Sequence, residues 1–113
     1  MSNVSQSLVN ATFDREMLWE QLKTIEDPDV HVNIVDLGLV YRVDGDILNK
    51  TITVVMTLTS PSCPMADFLL RSVEDLVSTL YPEYKVHVQL VWDPPWNMDM
   101  ISEIGKMELG IFA

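Results

Sequence analysis

Residues 51–68 read Thr51-Ile52-Thr53-Val54-Val55-Met56-Thr57-Leu58-Thr59-Ser60-Pro61-Ser62-Cys63-Pro64-Met65-Ala66-Asp67-Phe68, and the hydrophobic period changes in their middle. Ile52, Val54, Met56 and Leu58 alternate with Thr53, Val55 and Thr57, the two-residue repeat of a strand with one buried face. Beyond Pro64, the residues Met65, Leu69, Val73, Leu76, Val77 and Leu80 fall on one stripe of a helix that Pro82 ends. A second alternating run follows, in which Val86, Val88, Leu90 and Trp92 are set against Lys85, His87 and Gln89. A strand–helix–strand unit of this kind makes its two strands parallel, through a right-handed crossover, when both join one sheet.

Working outward, Leu37, Leu39, Tyr41 and Val43 alternate with Gly38, Val40 and Arg42, and the turn-rich Asp44-Gly45-Asp46 joins this run to Thr51 as a hairpin. From Asp14 to Glu26 the residues Leu18, Leu22 and Ile25 recur at helical spacing beside Met17, with Asp14 as the cap and Asp27-Pro28 as the stop. Ile101, Ile104 and Met107 predict a short last helix. The order is αββαβα. All three strands are apolar on one face and largely polar on the other, so the pattern predicts an α+β two-layer sandwich, a small mixed sheet with helices on a single face. Met56, Leu58, Leu69, Val73, Leu76, Val88 and Leu90 are expected to share its core.

The chain has 113 residues, 48% of them apolar and 21% charged, which suits one compact domain and excludes the disordered class. Residues 1–13, rich in Ser and Asn, read as a flexible leading segment, and residues 14–113 as a single domain. Seventeen acidic against seven basic side chains give a net charge of −10. Such a field repels phosphate backbones and anionic lipid, so neither nucleic acid nor a membrane surface is an expected partner. The N-terminus lacks a basic segment followed by an apolar one, and no apolar run approaches the length of a membrane span, so a cytoplasmic protein is expected.

Cys63 is the only cysteine. It has no second cysteine for an intrachain disulfide, a redox pair or a zinc knuckle, so it is either buried filler or a working thiol. Pro61 and Pro64 stiffen the loop that carries it, which suits a thiol that must be presented repeatably. A helix beginning near Pro64 places Cys63 at or beside the N-cap, where free amides and the helix dipole favour thiolate. Asp67, one turn on, and the acidic chain as a whole favour the neutral thiol. The loop Trp92-Asp93-Pro94-Pro95-Trp96 leaves a strand end of the same kind, so parallel strands would put both loops on one edge of the sheet as the candidate site. Asp36 can cap or brace a loop there, and Thr59 can hydrogen-bond within one. His31 and His87 have no metal partner at recognisable spacing.

Four segments, taken in order, resemble the PaaD-like metal–sulfur cluster biosynthesis family: Asp27-Pro28-Asp29, residues 33–41 from Asn33 to Tyr41, residues 56–64 from Met56 to Pro64, and residues 91–96 from Val91 to Trp96 followed by Met100-Ile101-Ser102. The similarity runs from about Glu16 to Gly110. It implies a small α+β domain that helps mature iron–sulfur proteins, with Cys63 in the place of the family's reactive cysteine and Asp36, Thr59 and Asp93 at motif positions around it. The chain departs from the pattern with Ser62 for the usual glycine, Asp29 for the usual glutamate and Asn97 for a frequent threonine, although Asn97 can still cap a helix. It also lacks the cysteine-rich C-terminal extension of the phenylacetate-pathway members, which points to the SUF-system accessory group, the SufT type.

The function so implied is that of a non-enzymatic carrier or adaptor that serves apo-protein clients and the iron–sulfur assembly machinery. Cys63 is then the candidate ligand for iron or a cluster, supported by Asp36, Thr59, Pro61, Pro64, Asp93 and Trp96. One thiolate per chain does not hold a cluster stably in a monomer, so transient binding shared between two chains, a homodimer, and outside thiols is expected. Two alternatives belong to other classes. A thiol-dependent enzyme needs His31 or His87 to reach Cys63 as a base. A protein-interaction module would use the acidic surface and the loop edge, its cysteine being incidental.

Overall fold

The computed structural model describes residues 13–60 and 65–111. Along the chain these form α1 (Arg15–Leu22), β1 (Val40–Asp46), β2 (Thr51–Met56), α2 (Ala66–Leu80), β3 (Lys85–Leu90), a 3-10 turn (Met98–Met100) and α3 (Glu103–Glu108). The sheet order is β1-β2-β3, with β1 antiparallel and β3 parallel to the central β2. The expected α+β architecture is therefore found. The leading segment proposed as flexible, residues 1–12 of it, lies outside the described residues, and Phe13 packs on the core with its ring 5.8 Å from that of Tyr81.

β2 is central because its inward row, Ile52, Val54 and Met56, is fully buried. Val43 faces Val54 from β1, and Val88 and Leu90 face Val54 and Met56 from β3. Onto this face α2 lays Leu69, Val73 and Val77, and α1 lays Leu18 and Leu22, all in one cluster. Lys85, His87 and Gln89 project from the other face into solvent. Val88, Leu90 and Leu76 belong to the core's margin, being half-buried. β3 is an edge strand, and Leu76 lies to one side of the stripe that faces the sheet.

Three local expectations are corrected. The first helix stops at Leu22 rather than continuing to Glu26. Asp14 does cap it, accepting from the Met17 amide at 3.1 Å. Beyond Lys23, however, the backbone turns to a different partner: Ile34 N–H donates to Ile25 O at 2.9 Å, and Asp27 N–H donates to Val32 O at 3.0 Å. A returning segment has captured groups that would otherwise extend the helix.

The first strand begins at Val40, not Leu37. Leu37 and Gly38 lie in a turn closed by Leu37 N–H to Asn33 O and Leu39 N–H to Ile34 O, both 3.0 Å, with Gly38 left-handed at φ +81°. Leu37 and Leu39 are buried all the same, so burial matched the alternation while the backbone did not. A bulge between Val40 and Arg42 then changes the parity, for Val40 pairs with Met56 and Val43 with Val54.

The last helix buries a different face from the one expected. Ile104 and Met107 are 60% and 68% exposed, and the buried residue of α3 is Gly105. A Cβ at Gly105 would stand 2.9 Å from Ile101 Cγ2 and 3.0 Å from Asp36 O, so only glycine allows this approach.

A candidate cleft and the cysteine loop

Because β2 and β3 run parallel and in register, with Val91 N–H donating to Met56 O at 2.9 Å, the segments after both strands leave the same end of the sheet. This is the edge on which the two proline loops were expected to meet. The turn at residues 34–38 and the start of α3 close round it.

Asp36 fastens these pieces together. Its Oδ2 accepts from Asn33 Nδ2 at 2.6 Å and its Oδ1 from Ser102 Oγ at 2.7 Å, while its backbone carbonyl accepts from Ser102 N–H at 2.7 Å. Ser102 Oγ in turn accepts from Gly105 N–H at 3.0 Å and caps α3. Burial pushes the Asp36 carboxyl up, but the hydrogen bonds from Asn33 and Ser102 and the attraction of Lys23 outweigh it and hold the group below its ordinary value. Asp36 is thus a brace, the role its sequence position allowed.

The brace has a pH signature. A carboxylate whose folded pKa is depressed contributes stability that is complete above its unfolded value, near 3.8, and is lost as pH falls through the lower folded value. Asp36→Ala should therefore cost about 1.5–3 kcal/mol at pH 7, the worth of hydrogen bonds to a charged acceptor. Urea unfolding at neutral pH and at about pH 3 checks this: the gap between wild type and variant should narrow in acid. A gap of constant size would show that the ionised carboxylate is not what matters.

The loop after β3 is tied down at two points. Trp96 Nε1–H donates to Leu37 O at 2.7 Å, and the Tyr41 hydroxyl donates to Pro94 O at 2.7 Å. Asn97 accepts from Asp99 N–H at 2.9 Å and starts the 3-10 turn, so it does cap a helical turn. Between these parts lies a cleft of about 440 Å³. Leu37, Trp96, Ile101 and Leu109 wall it, Val30, Met98 and Ile111 continue it outward, and Thr59, Asp27 and Asp29 supply its polar groups. Asp27 Oδ1 accepts from Asp29 N–H at 2.8 Å.

Of the residues singled out from the sequence, Thr59 and Trp96 meet in this cleft and Asp36 stands next to its wall. Asp93 is exposed and does not line it. Pro61, Cys63 and Pro64 lie outside the described residues. The helix does begin near Pro64, with Met65 as an N-cap that offers no side-chain hydrogen bond, but Cys63 precedes that cap by two residues instead of standing at or beside it. His31 sits in an exposed loop beside Glu26 and His87 on the open face of β3, and neither lines the cleft. Among the described residues no group of His, Cys, Asp and Glu is arranged to hold a metal ion, and no helix is long and apolar enough to cross a membrane. Sequence reasoning passed over Asp27, Asp29 and Val30 as contributors to the cleft. Their signal was present, since Asp27-Pro28-Asp29 was one of the four segments that carried the resemblance.

Residues 15–90 match the family described as iron–sulfur cluster assembly protein. An Fe-S protein maturation auxiliary factor of Porphyromonas gingivalis is 42% identical over 95 residues, covering 84% of this chain and 90% of that protein. The Fe-S protein maturation auxiliary factor SufT of Staphylococcus aureus is 40% identical over 85 residues, covering 75% of this chain and 96% of its own. Among solved structures, a domain of unknown function from Bacillus anthracis superposes with a TM-score of 0.78 at 40% identity, covering 86% of this chain and 92% of that one. Sequence motifs, fold and these similarities agree, and the chain belongs to the iron–sulfur cluster assembly protein family.

Proposed function

We propose that the protein is a maturation factor for iron–sulfur proteins, a carrier or adaptor that holds iron or a cluster transiently on Cys63 and passes it to an apo-protein at the cleft. The cluster is cargo. The observation that carries the reading is the position of Thr59, in the cleft wall and four residues before Cys63. Extended chain reaches at most about 3.6 Å per residue, so Cys63 is tethered within about 14 Å of that wall. It is also two residues from Met65, whose side chain makes no cap hydrogen bond to the first amides of α2. Free amides at a helix start favour a thiolate held against them, the form that binds iron. Relatives that align over most of this chain bear the name of maturation auxiliary factor, which supports the same reading.

A cluster takes about four protein or outside ligands and each chain brings one thiolate, so the cargo is held between molecules. Anaerobic reconstitution with iron and sulfide, followed by absorption spectra, sizing and transfer to an apo-ferredoxin, tests this. Wild type should elute larger when loaded, carrying no more than one 2Fe–2S cluster per two chains. Cys63→Ser should lose most of the absorbance and slow transfer by roughly tenfold or more, since a hydroxyl is a poor soft-metal ligand. Undiminished transfer by Cys63→Ser would overturn the carrier role and leave an adaptor whose cysteine is incidental.

A further inference from the structure

We infer that the cleft binds a peptide segment of a partner protein in which a bulky apolar side chain is flanked by lysine or arginine. The inference deepens the maturation reading, on which it rests for its setting, by stating the chemistry of what docks beside the cysteine loop. The walls at Leu37, Ile101 and Leu109 are apolar, and the apolar surface runs outward onto Val30 and Met98, which are 41% and 53% exposed. An apolar cleft continued by exposed apolar side chains is the form of a docking site rather than scattered surface hydrophobicity.

Charge selects the occupant. Among the described residues, the only charged ones lining the cleft are the buried Asp27 and the exposed Asp29, and no basic residue lines it with them. Among the described residues neither is in an ion pair; the pairs found are Lys23 with Glu20, His31 with Glu26, Arg42 with Asp44 and Lys50 with Glu83. The Asp29 amide bonded to Asp27 Oδ1 fixes the two residues relative to each other. With a chain charge of −10, the field at this mouth disfavours an acidic segment and attracts a basic one. Met98 at the rim is a flexible, polarisable contact, suited to more than one apolar partner side chain.

The test uses the full-length, cluster-free protein labelled for NMR and three synthetic peptides. These carry lysine–leucine–lysine, glutamate–leucine–glutamate or lysine–alanine–lysine within the same glycine–serine frame. The lysine–leucine–lysine peptide should shift the Trp96 indole N–H and the Met98 methyl signals saturably. Exchanging its lysines for glutamate should weaken binding by roughly fivefold, the scale of losing one exposed ion pair at Asp29 and meeting like-charge repulsion in its place. The alanine peptide should also bind more weakly, and the preference for lysine should shrink as salt is raised. Asp29→Lys should reverse the charge preference, and Met98→Ser, a change at an exposed rim position, should weaken both leucine peptides. Equal binding of the lysine and glutamate peptides, shifts that map away from the cleft, the absence of saturable shifts, or a cluster-free dimer that closes the cleft would each overturn the inference. Because no cluster is present, peptide binding with failed cluster transfer would sink only the maturation reading. Cluster transfer without selective peptide binding would sink only this one.

Discussion

Replacing Gly38 by alanine is expected to destabilise the protein by about 3 kcal/mol or more, from two independent costs. The first is conformational: at φ +81° an L residue enters the left-handed region, which costs roughly 1–2 kcal/mol. The second is steric. A Cβ at this position would collide with the Met100 carbonyl oxygen and stand 2.8 Å from Met100 Cβ and 2.9 Å from the Met100 carbonyl carbon. The obstruction is backbone, so it cannot swing aside as a side chain tip would. Met100 lies directly before Ile101 and Ser102, and moving it strains the bonds from Ser102 to Asp36 that hold α3 against the turn. Urea unfolding should record the loss, and the Trp96 indole N–H signal should move, because its acceptor is the carbonyl of Leu37, next to the substituted residue. A loss below about 1 kcal/mol, less than the left-handed cost alone, would show that this turn is not held as described.

Leu69→Ala should cost about 2–5 kcal/mol, the range for deleting a packed leucine side chain in a core that relaxes only partly. Leu69 is fully buried on the first half of α2, in one cluster with Ile52, Val54 and Met56 of the central strand. Two comparisons make the prediction specific. Leu76→Ala, at a half-buried position on the same helix, should cost clearly less, and Met107→Ala, on the exposed side of α3, should change stability by no more than about 0.5 kcal/mol. Chemical denaturation of the three variants checks the order. If Leu76→Ala proved the costlier of the two α2 changes, the helix would be rotated from the orientation described.

The acidic character of the chain ties the site to its chemistry. A basic segment drawn to Asp29 would arrive beside the Cys63 loop, so the acidic charge of the chain would concentrate such partners there. The selectivity is expected to weaken with salt, since exposed charges are screened over about 10 Å at 0.1 M ionic strength.

The sequence by itself determined the element types, their order and the parallel β2–β3 pairing. These depend on local periodicity and on a crossover rule that leaves few topologies open, and both act through near neighbours or through handedness. Asp14, Pro82 and Asn97 were legible as punctuation for the same reason. The sequence also brought Thr59 and Trp96 to one edge, since two parallel strands release their loops at the same end. Only the tertiary structure decided where the first helix stops, because backbone groups of Ile25 and Asp27 bond to residues 32–34 across a returning loop. It alone turned α3 so that Gly105, not Ile104, faces inward: the close approach to Asp36 admits no Cβ, and that contact spans about seventy positions of sequence. It alone made a cleft from Asp27, Leu37, Thr59, Trp96 and Leu109, which no period relates. Packing joins residues that are far apart in the chain, and a pattern read along the chain carries no term for that distance.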